Sequence, residues 1–327
     1  MKRYLITGFS GFVGRHFVEY LESREKNNLV MGLDIKAPDF EFNYKNVTIN
    51  FEKADLLSKD KIEYIIREFQ PHYIFHFASY SSVGLSWADP VKSFRNNTNI
   101  FLNLIDVVRK LNINSRILSI GSSEEYGNVE DKDLPLKEDH ELNPISPYAV
   151  ARISQELLSK VYINSFGLDI VLTRSFNHIG PGQKSIFVVS SLAKQLVALK
   201  KSGKKRGKIF AGDVSIVRDF TDVREVVRAY HLLLKDGKKG HVYNVCSGRG
   251  ASIKNIIDIM AEQLDIEVDI KVDDRLIRRA DNKKIIGSNE KIKTELGWQN
   301  DISLKQSLKD IIIYWEANSS PVTHSNA

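Results

Sequence analysis

Near the start of the chain stands Arg3-Tyr-Leu-Ile-Thr-Gly8-Phe-Ser-Gly11-Phe-Val-Gly14, in which a short apolar run leads into three glycines. The run Arg3–Thr7 predicts a β-strand, and Gly11–Glu25 predicts a helix. Glycines at such a turn let the backbone bend tightly and approach a pyrophosphate, which the free N–H groups of the helix N-terminus stabilise. The stretch therefore predicts a dinucleotide site in an α/β fold.

Short apolar runs alternate with helical segments through the first half of the chain. The predicted strands are rich in β-branched and aromatic residues: Arg3–Thr7, Leu29–Asp34, Val47–Asn50, Tyr73–His76, Arg116–Ile120 and Asp169–Ser175. The predicted helices are Gly11–Glu25, Lys59–Glu68, Phe94–Leu111 and Pro147–Phe166. This alternation predicts a doubly wound, parallel Rossmann sheet.

The pattern changes after Asn177, where Gly180-Pro-Gly182 interrupts the chain. Beyond it we expect a helix over Phe187–Lys200, an exposed loop over Lys201–Gly207, a strand His241–Val245 that rejoins the sheet, and an amphipathic helix from Leu304 to Trp315. The expected domains are a Rossmann domain over 1–177 completed by about 222–246, a smaller C-terminal α/β substrate-binding domain over 178–221 and 247–317, and a tail over 318–327.

Composition indicates a globular protein and limits its partners. Of the 327 residues, 42% are hydrophobic and 27% are charged, and the single cysteine, Cys246, excludes disulfide frameworks and cysteine-rich zinc sites. The apolar runs are too short to cross a bilayer, and a signal peptide does not begin like Met1–Thr7, so we expect a cytoplasmic protein that binds neither membrane nor metal. We attribute the net charge of +6 to a lysine-rich solvated surface, not to nucleic-acid binding.

Asp34 ends the second predicted strand, twenty residues after Gly14. A carboxylate at this place accepts hydrogen bonds from the ribose hydroxyls and repels a 2′-phosphate, which favours NAD(H) over NADP(H). The basic neighbours Arg15 and Lys36 weaken that repulsion. We therefore expect a preference for NADH, with NADP(H) as the alternative cofactor.

The glycine spacing and four further stretches resemble the extended short-chain dehydrogenase/reductase family over essentially the whole chain. The stretches are Ala54-Asp-Leu56, His76-Phe-Ala-Ser79, Asn97 with Asn103, and Leu296-Gly-Trp298. The resemblance implies cofactor contacts from Gly8, Gly11, Phe12, Val13, Gly14, Asp34, Ile35, Asp55, Leu56, Phe77, Ala78, Ser79, Tyr148 and Arg152.

A catalytic pair is expected at the start of the helix Pro147–Phe166, for which Ser146 is the predicted cap. Tyr148 and Arg152 lie one turn apart on one face of that helix. The resemblance places the family's Tyr-x-x-x-Lys pair here, in which the tyrosine exchanges a proton with the sugar oxygen and the cation holds the nicotinamide ribose. Arginine keeps the positive charge of lysine but is planar and bulkier, and it cannot relay a proton.

The loop 121–127 follows the fifth predicted strand. By the resemblance, Ser122 is the catalytic hydroxyl that hydrogen-bonds the reacting oxygen beside the helix tyrosine, and Ser123 contacts substrate. Glu124 occupies the position of the catalytic base in sugar-nucleotide 4,6-dehydratases. Without the resemblance, the adjacent Glu124 and Glu125 would indicate only a solvated turn.

Three later stretches closely resemble reductases of GDP-4-keto-6-deoxy-D-mannose. They are Phe176-Asn-His-Ile-Gly-Pro-Gly-Gln183, Val217-Arg-Asp-Phe-Thr-Asp-Val223 and Tyr243-Asn-Val-Cys-Ser-Gly248. The resemblance implies a GDP-linked keto-deoxy sugar as substrate, held by Ser123, Asn177, Val188, Lys194, Arg218 and Arg278. Guanidinium and ammonium groups suit the diphosphate because their N–H groups pair with phosphate oxygens.

Three functions agree with these residues. The first is reduction of the 4-keto group of a GDP-4-keto-6-deoxy sugar of the mannose type or its heptose analogue. The second is a 4,6-dehydratase or epimerase with tightly bound NAD, which Glu124 favours. The third is a nucleotide-sugar-binding protein without activity, which the arginine at position 152 suggests.

A homodimer is also implied by the resemblance, in which the helices Phe94–Leu111 and Pro147–Phe166 pair into a four-helix bundle. The first of these helices carries more apolar residues than one buried stripe needs, namely Ile100, Leu104, Val107 and Val108. We expect this surplus to face the second subunit.

Overall fold

The computed structural model describes residues 1–277 and 282–318. The strands are β1 (Lys2–Thr7), β2 (Asn28–Asp34), β3 (Val47–Lys53), β4 (Tyr73–His76), β5 (Arg116–Ser122), β6 (Asp169–Ser175), β7 (Asn177–Ile179), β8 (Arg206–Ala211), β9 (Val217–Asp222), β10 (Val242–Val245), β11 (Gly250–Ser252), β12 (Glu267–Val272) and β13 (Lys284–Ile285). The α-helices are α1 (Phe12–Arg24), α2 (Lys59–Phe69), α3 (Val83–Ala88), α4 (Pro90–Phe94), α5 (Ile100–Lys110), α6 (Pro147–Phe166), α7 (Val188–Lys201), α8 (Val223–Asp236), α9 (Ile253–Leu264), α10 (Glu290–Leu296) and α11 (Leu304–Asn318).

Seven strands form the central sheet in the order β10-β6-β5-β4-β1-β2-β3. Every neighbouring pair is parallel, so the carboxyl ends of the strands meet at one edge. Side chains of α1 and α8 pack on one face and those of α2 and α5 on the other. The predicted doubly wound parallel sheet is confirmed. Because chain order reverses between β1 and β4, this is where a ligand cleft is expected.

Most predicted elements of the first half are confirmed, since local patterns specify them. The helix predicted from Pro147 to Phe166 has those bounds, and the Ser146 hydroxyl accepts the Ala149 N–H at 3.1 Å as its N-cap. The strand predicted over His241–Val245 appears as β10 and joins the sheet beside β6.

The exposed loop predicted over Lys201–Gly207 is wrong at both ends. Helix α7 includes Lys201, and β8 begins at Arg206. Strand β8 forms because it pairs in parallel with β12 and buries Ile209 and Ala211 on one side. Arg206 and Lys208 alternate with these buried residues and are exposed on the other side of the strand.

The helix predicted over Phe94–Leu111 is interrupted. Helix α4 passes through a π-helical turn, Arg95–Asn99, before α5 begins at Ile100. The expectation that this helix presents surplus apolar residues to a second subunit is wrong for Ile100, Leu104, Val107 and Val108. All four are buried in the core between α5, α2 and the sheet, because α5 is covered on two sides.

A smaller α/β layer follows β6. Strands β11, β9 and β13 form a sheet with β7 attached to β9. Helices α7, α9 and α11 share a third core with them, and Leu308, Ile311 and Ile312 are buried there as the predicted stripe requires. No helix within residues 1–277 and 282–318 has the length and apolar composition needed to cross a membrane.

A partly buried carboxylate ties α1 to α8 at the amino-terminal edge of the sheet. One oxygen of Glu25 faces His231 Nε2 at 3.0 Å and accepts from Lys235, while the other accepts from Tyr4 Oη at 2.7 Å and Asn28 Nδ2 at 3.1 Å. Burial opposes ionisation, but the hydrogen bonds from His231, Lys235 and Tyr4 outweigh it and hold the Glu25 pKa well below its usual range.

We expect Glu25→Gln to lower the free energy of unfolding by about 2 kcal/mol at neutral pH, because it weakens hydrogen bonds made to a charged group. A carboxylate with a lowered folded-state pKa stabilises above its unfolded pKa and loses that effect as pH falls through the folded value. The deficit should therefore persist down to about pH 4.5 and shrink below it. Urea unfolding across that range measures it, with the exposed Glu68→Gln as control, and a deficit that is unchanged at low pH would contradict the assignment.

Candidate active site

The turn after β1 approaches the segment after β4 closely. Gly8 has a φ of +68°, and a Cβ on it would lie 2.6 Å from the backbone nitrogen of Ala78. Gly11 is the N-cap residue of α1 and has no side chain that could cap the helix. The first N–H groups of the helix, at Phe12 and Val13, are therefore left as the free donors that a pyrophosphate requires.

Asp34 lies against the glycine turn. Its carboxylate accepts the Ser10 N–H at 3.0 Å and the Lys36 N–H at 3.3 Å, which fixes it at the carboxyl end of β2. Ile35 beside it is exposed, as a residue that lies under an adenine ring would be. Arg15 makes an ion pair with Glu19 at 3.0 Å.

Hydrogen bonds hold the segments after β3 and β4 in place. Ala78 N–H donates to Thr7 Oγ1 at 3.2 Å, and the same hydroxyl faces His76 Nδ1 at 3.0 Å. Burial lowers the His76 pKa to about 3, and the charge of Arg152 contributes. His76 is therefore a neutral support for this segment.

Two asparagines extend this support. Asn97 Oδ1, in the π-helical turn, accepts the Tyr80 N–H at 3.0 Å, and Asn103 Nδ2 on α5 donates to the Leu56 carbonyl at 3.0 Å. The predicted cofactor residues Leu56, Phe77, Ala78 and Ser79 thus lie on segments that these hydrogen bonds hold in place. Asp55 is exposed and caps its own turn through the Leu57 N–H at 2.9 Å.

The Tyr148–Arg152 pair predicted on α6 exists. Arg152 Nε donates to Tyr148 Oη at 3.1 Å, and Arg152 Nη1 donates to the Ile120 carbonyl at 3.0 Å and to Gln155 Oε1 at 2.9 Å. Both members of the pair are buried. The guanidinium therefore joins α6 to the end of β5 and holds the phenol oxygen at the carboxyl edge of the sheet.

Ser122 ends β5 and caps the 3₁₀ turn Ser123–Tyr126. Its Oγ accepts the Glu124 N–H at 3.2 Å, while Glu125 Oε1 accepts the Ser122 N–H at 2.6 Å. This reciprocal arrangement is a capping box. Ser123 is buried and Glu124 is partly buried. The interpretation of Glu124 and Glu125 as a solvated turn is wrong for Glu125, whose exposed fraction is 1%.

A buried group of charges lies behind this turn. Arg174 on β6 donates to both oxygens of Glu156 at 3.0 Å and lies 3.9 Å from Glu125 Oε2. Burial and the neighbouring Glu156 raise the Glu125 pKa to about 8. Burial also opposes the ionisation of Glu156, but hydrogen bonds from Arg174 outweigh it and lower its pKa.

Four of the residues predicted to bind substrate lie in the smaller layer, whereas Ser123 lies on the turn after β5. Asn177 and Val188 are exposed at the starts of β7 and α7. Lys194 is exposed, with its ammonium 5.3 Å from the centre of the Trp315 ring. Arg218 is buried, and its Nη1 donates to the carbonyls of Val217 at 2.9 Å and Asn282 at 2.8 Å. Arg278 lies outside the described residues.

Sequence reasoning missed three polar residues of the site. Gln155 joins Arg152 to Ser119 of β5, and Glu156 on the same helix pairs with Arg174 of β6. A signal existed for two of them, since Gln155 and Glu156 follow Arg152 by three and four residues on one helix and share its face. Arg174 had no such signal, because its role depends on pairing between distant segments.

Comparison with known proteins adds the family. The profile of the GDP-mannose 4,6 dehydratase family matches residues 5–311. The chain belongs to this family. It is 32% identical to the GDP-6-deoxy-D-mannose reductase of Pseudomonas aeruginosa, over 97% of this chain and 98% of the relative.

Solved structures of this family's relatives have the same fold. A structure of RMD from Pseudomonas aeruginosa complexed with NADPH superposes with a TM-score of 0.84 and 32% identity, over 98% of this chain and 100% of that one. The UDP-glucose 4-epimerase of Thermus thermophilus in complex with NAD gives a TM-score of 0.83 and 28% identity, over 97% and 100% of the two chains. The resemblance to short-chain dehydrogenase/reductases and the prediction of an NAD(P)-dependent enzyme are confirmed.

We expect three variants to separate the roles within the Tyr148–Arg152 pair. Tyr148→Phe removes the proton donor and should cut turnover about 100-fold or more with cofactor affinity nearly intact. Arg152→Met should lower turnover and cofactor affinity together, and it leaves Gln155 Oε1 without its donor, whereas the Ile120 carbonyl keeps a hydrogen bond from Gln155 Nε2. Arg152→Lys should retain activity because it keeps the charge, at a cost of about 1 kcal/mol in stability for the lost hydrogen bonds.

Steady-state kinetics and cofactor titration of the wild type and the three variants test this expectation. Wild-type rates in Arg152→Met would show that the arginine is no part of the catalytic unit.

Proposed function

We propose that this protein uses a reduced nicotinamide cofactor to reduce the 4-keto group of a GDP-4-keto-6-deoxy sugar, of the mannose type or its heptose analogue, to the GDP-6-deoxy sugar. The observation that carries the proposal is the buried Tyr148–Arg152 hydrogen bond beside Ser122 at the carboxyl edge of the sheet. The full-length similarity to a GDP-6-deoxy-D-mannose reductase supports the substrate class. We place the reaction in the cytoplasm.

The cofactor is assigned to the β1–α1 turn. Its residues fit a dinucleotide because Gly8 allows the close approach to Ala78 and the N-cap of α1 is a glycine without a capping side chain. Residues Gly8, Gly11, Phe12, Val13 and Gly14 would hold the pyrophosphate. Asp34, Ile35, Asp55 and Leu56 would hold the adenosine, and Phe77, Ala78, Ser79, Tyr148 and Arg152 the nicotinamide half.

The bound cofactor supplies the hydride that reduces the carbonyl carbon. Tyr148 Oη donates its proton to the oxygen that gains negative charge, and the Ser122 hydroxyl donates a hydrogen bond to the same oxygen. Arg152 stabilises that charge from its fixed position behind the phenol. The buried surroundings of the pair keep these interactions strong, because there is little water to screen them.

Substrate is assigned to the smaller layer. We propose that residues 1–177, completed by 222–246, bind the cofactor, and that 178–221 and 247–317 bind the nucleotide sugar, with a tail over 318–327. Ser123, Asn177, Val188, Lys194, Arg218 and Arg278 remain the proposed contacts. Lys194 lies over the Trp315 ring, so it must leave that ring to reach a phosphate.

A dehydratase or epimerase is the second candidate. It is favoured by Glu124, which lies on the same 3₁₀ turn as Ser123 and follows Ser122 by two residues. Named relatives of this family include 4,6-dehydratases and 4-epimerases. A binding protein without activity is disfavoured, because Ser122, Tyr148 and the proposed GDP contacts are all retained.

We expect the purified protein to oxidise NADH when offered GDP-4-keto-6-deoxymannose or its heptose analogue, and to leave GDP-mannose unchanged. NADH should be used more efficiently than NADPH, because Asp34 repels a 2′-phosphate by about 1–4 kcal/mol. Loss of reduced-nicotinamide absorbance gives the rates, and NMR identifies the product. Conversion of GDP-mannose by protein that carries its own NAD would establish the dehydratase instead.

An exposed apolar stripe on α6 is the proposed dimer surface. Val150, Leu157 and Val161 are exposed at 45%, 54% and 52% and recur at spacings of seven and four residues, so they lie on one side of the helix. The helices α3 and α4 pack beside α6 and add the exposed Trp87 and Phe94. We propose that this combined face, and not the buried residues of α5, pairs with a second copy.

We expect a homodimer in sedimentation at micromolar concentration and a monomer for Leu157→Glu, because the substitution places a charge at the centre of the stripe. Ile313→Glu is the matched control, since Ile313 is a similarly exposed aliphatic residue on α11. A monomeric wild type, or a dimer that tolerates the charge at position 157, would place the surface elsewhere.

A further inference from the structure

Glu125 is a buried titratable group that the proposed reaction does not use. Its carboxyl group is enclosed by residues of β5, β6 and α6, and it lines one small interior space with Gly121, Arg152, Gln155 and Glu156. Neither substrate nor cofactor is expected to reach it there. It lies directly behind Ser122 and faces the same space as Arg152.

The fit around this carboxyl group is tight. A Cβ on Gly121 would overlap both Glu125 Oε1 and the Thr173 carbonyl oxygen, so only glycine leaves room for the carboxyl group at this point of β5. Oε1 accepts the Ser122 N–H at 2.6 Å. This bond fixes the backbone of the residue whose hydroxyl is assigned to the reacting oxygen.

The second oxygen of the carboxyl group is poorly supported. Oε2 is buried and has no hydrogen-bond partner among the described residues; Arg174 Nε lies 3.9 Å away, beyond hydrogen-bond distance. Arg174 donates its short bonds to Glu156 instead. An ionised carboxylate in the interior with one short hydrogen bond is energetically costly. The pKa of Glu125 is therefore raised above its ordinary range, and the neutral form is favoured.

We propose that Glu125 is a positioning residue of the active site, whose carboxyl group holds the Ser122 turn and sets the charge that faces Arg152. This inference rests on the proposed function. The charged groups around it are Arg152 and Glu156 from α6 and Arg174 from β6. Ionised Glu125 opposes negative charge on the reacting oxygen, and neutral Glu125 does not.

The proposal gives turnover a pH dependence. Burial and Glu156 raise the Glu125 pKa to about 8, so the carboxyl group ionises as pH rises through that value. We expect kcat of the wild type to fall about threefold to tenfold between about pH 7 and pH 9, since one added charge at this range opposes the charge that develops in the transition state. The KM for the cofactor should change little, because Glu125 does not touch it.

Three variants test the proposal. Glu125→Gln keeps an acceptor for the Ser122 N–H but cannot ionise, so its kcat should lack the transition near pH 8. Glu125→Met removes the acceptor too, and its kcat should be lower at every pH with the same flat profile in that range. Glu130→Gln is the matched control, because Glu130 is an exposed glutamate close by in the chain, and it should keep the wild-type profile. Coincident profiles of the wild type and Glu125→Gln would overturn the proposal.

Unfolding without substrate gives an independent readout. A carboxyl group with a raised folded-state pKa contributes stability that is present below the unfolded pKa and is lost as pH rises through the folded value. From about pH 5 to about pH 8.5 the urea midpoint of the wild type should therefore fall relative to that of Glu125→Gln. A constant difference would overturn the proposal. A wild type that reduces no keto sugar counts against the proposed function only, and the unfolding comparison still decides the charge state of Glu125.

Discussion

A buried guanidinium must be surrounded by acceptors, and this requirement organises the contact between α6 and the central sheet. Arg152 donates hydrogen bonds to the Tyr148 oxygen, the Ile120 carbonyl and the Gln155 amide oxygen. Arg174 on β6 donates hydrogen bonds to Glu156 on the same helix. Because these acceptors belong to β5 and α6, satisfying the two arginines fixes where the helix begins relative to the sheet. The Tyr148 oxygen and the Ser122 turn are positioned as a result.

Much of this arrangement follows from local sequence. The glycine turn, the strands of the first half and the pair on α6 were predicted because periodicity, caps and one-turn spacing specify them without distant partners. The placement of Glu125 was not, since adjacent glutamates ordinarily face water, and Arg174 and Arg152 on other segments line its interior position. The contact between Lys194 and the Trp315 ring could not be predicted either, because Trp315 comes from the far end of the chain.

Errors in the prediction share a cause. Helix α5 carries more apolar residues than one buried stripe needs, and the surplus was predicted to contact a second subunit. The monomer itself covers α5 from two sides, and the exposed stripe lies on α6. Likewise, Arg206 and Gly207 belong to a segment with the composition of a loop, and they become part of β8 through its pairing with β12. In each case a tertiary neighbour decides, and its identity is not encoded within the segment.

Two glutamates of this chain show how donors set the state of a carboxyl group. Glu25 at the amino-terminal edge of the sheet is held by four side chains, and its pKa is lowered. Glu125 at the opposite edge has one short bond, and its pKa is raised to about 8. Burial penalises ionisation in both. At Glu25 the donors outweigh partial burial, whereas at Glu125 full burial and the neighbouring Glu156 outweigh the single short bond.

The π-helical turn Arg95–Asn99 restricts how this part of the chain can change in length. Such a turn is equivalent to an α-helix with one inserted residue. Deleting a residue there would restore regular α-helical winding and move the remaining residues of the turn to new positions on the helix. Asn97 would then leave Tyr80, and Thr98 would lose the Ala151 carbonyl that it reaches at 3.0 Å. Insertions and deletions should thus be rarer between α4 and α5 than substitutions, and the length of this turn becomes a feature to compare among relatives.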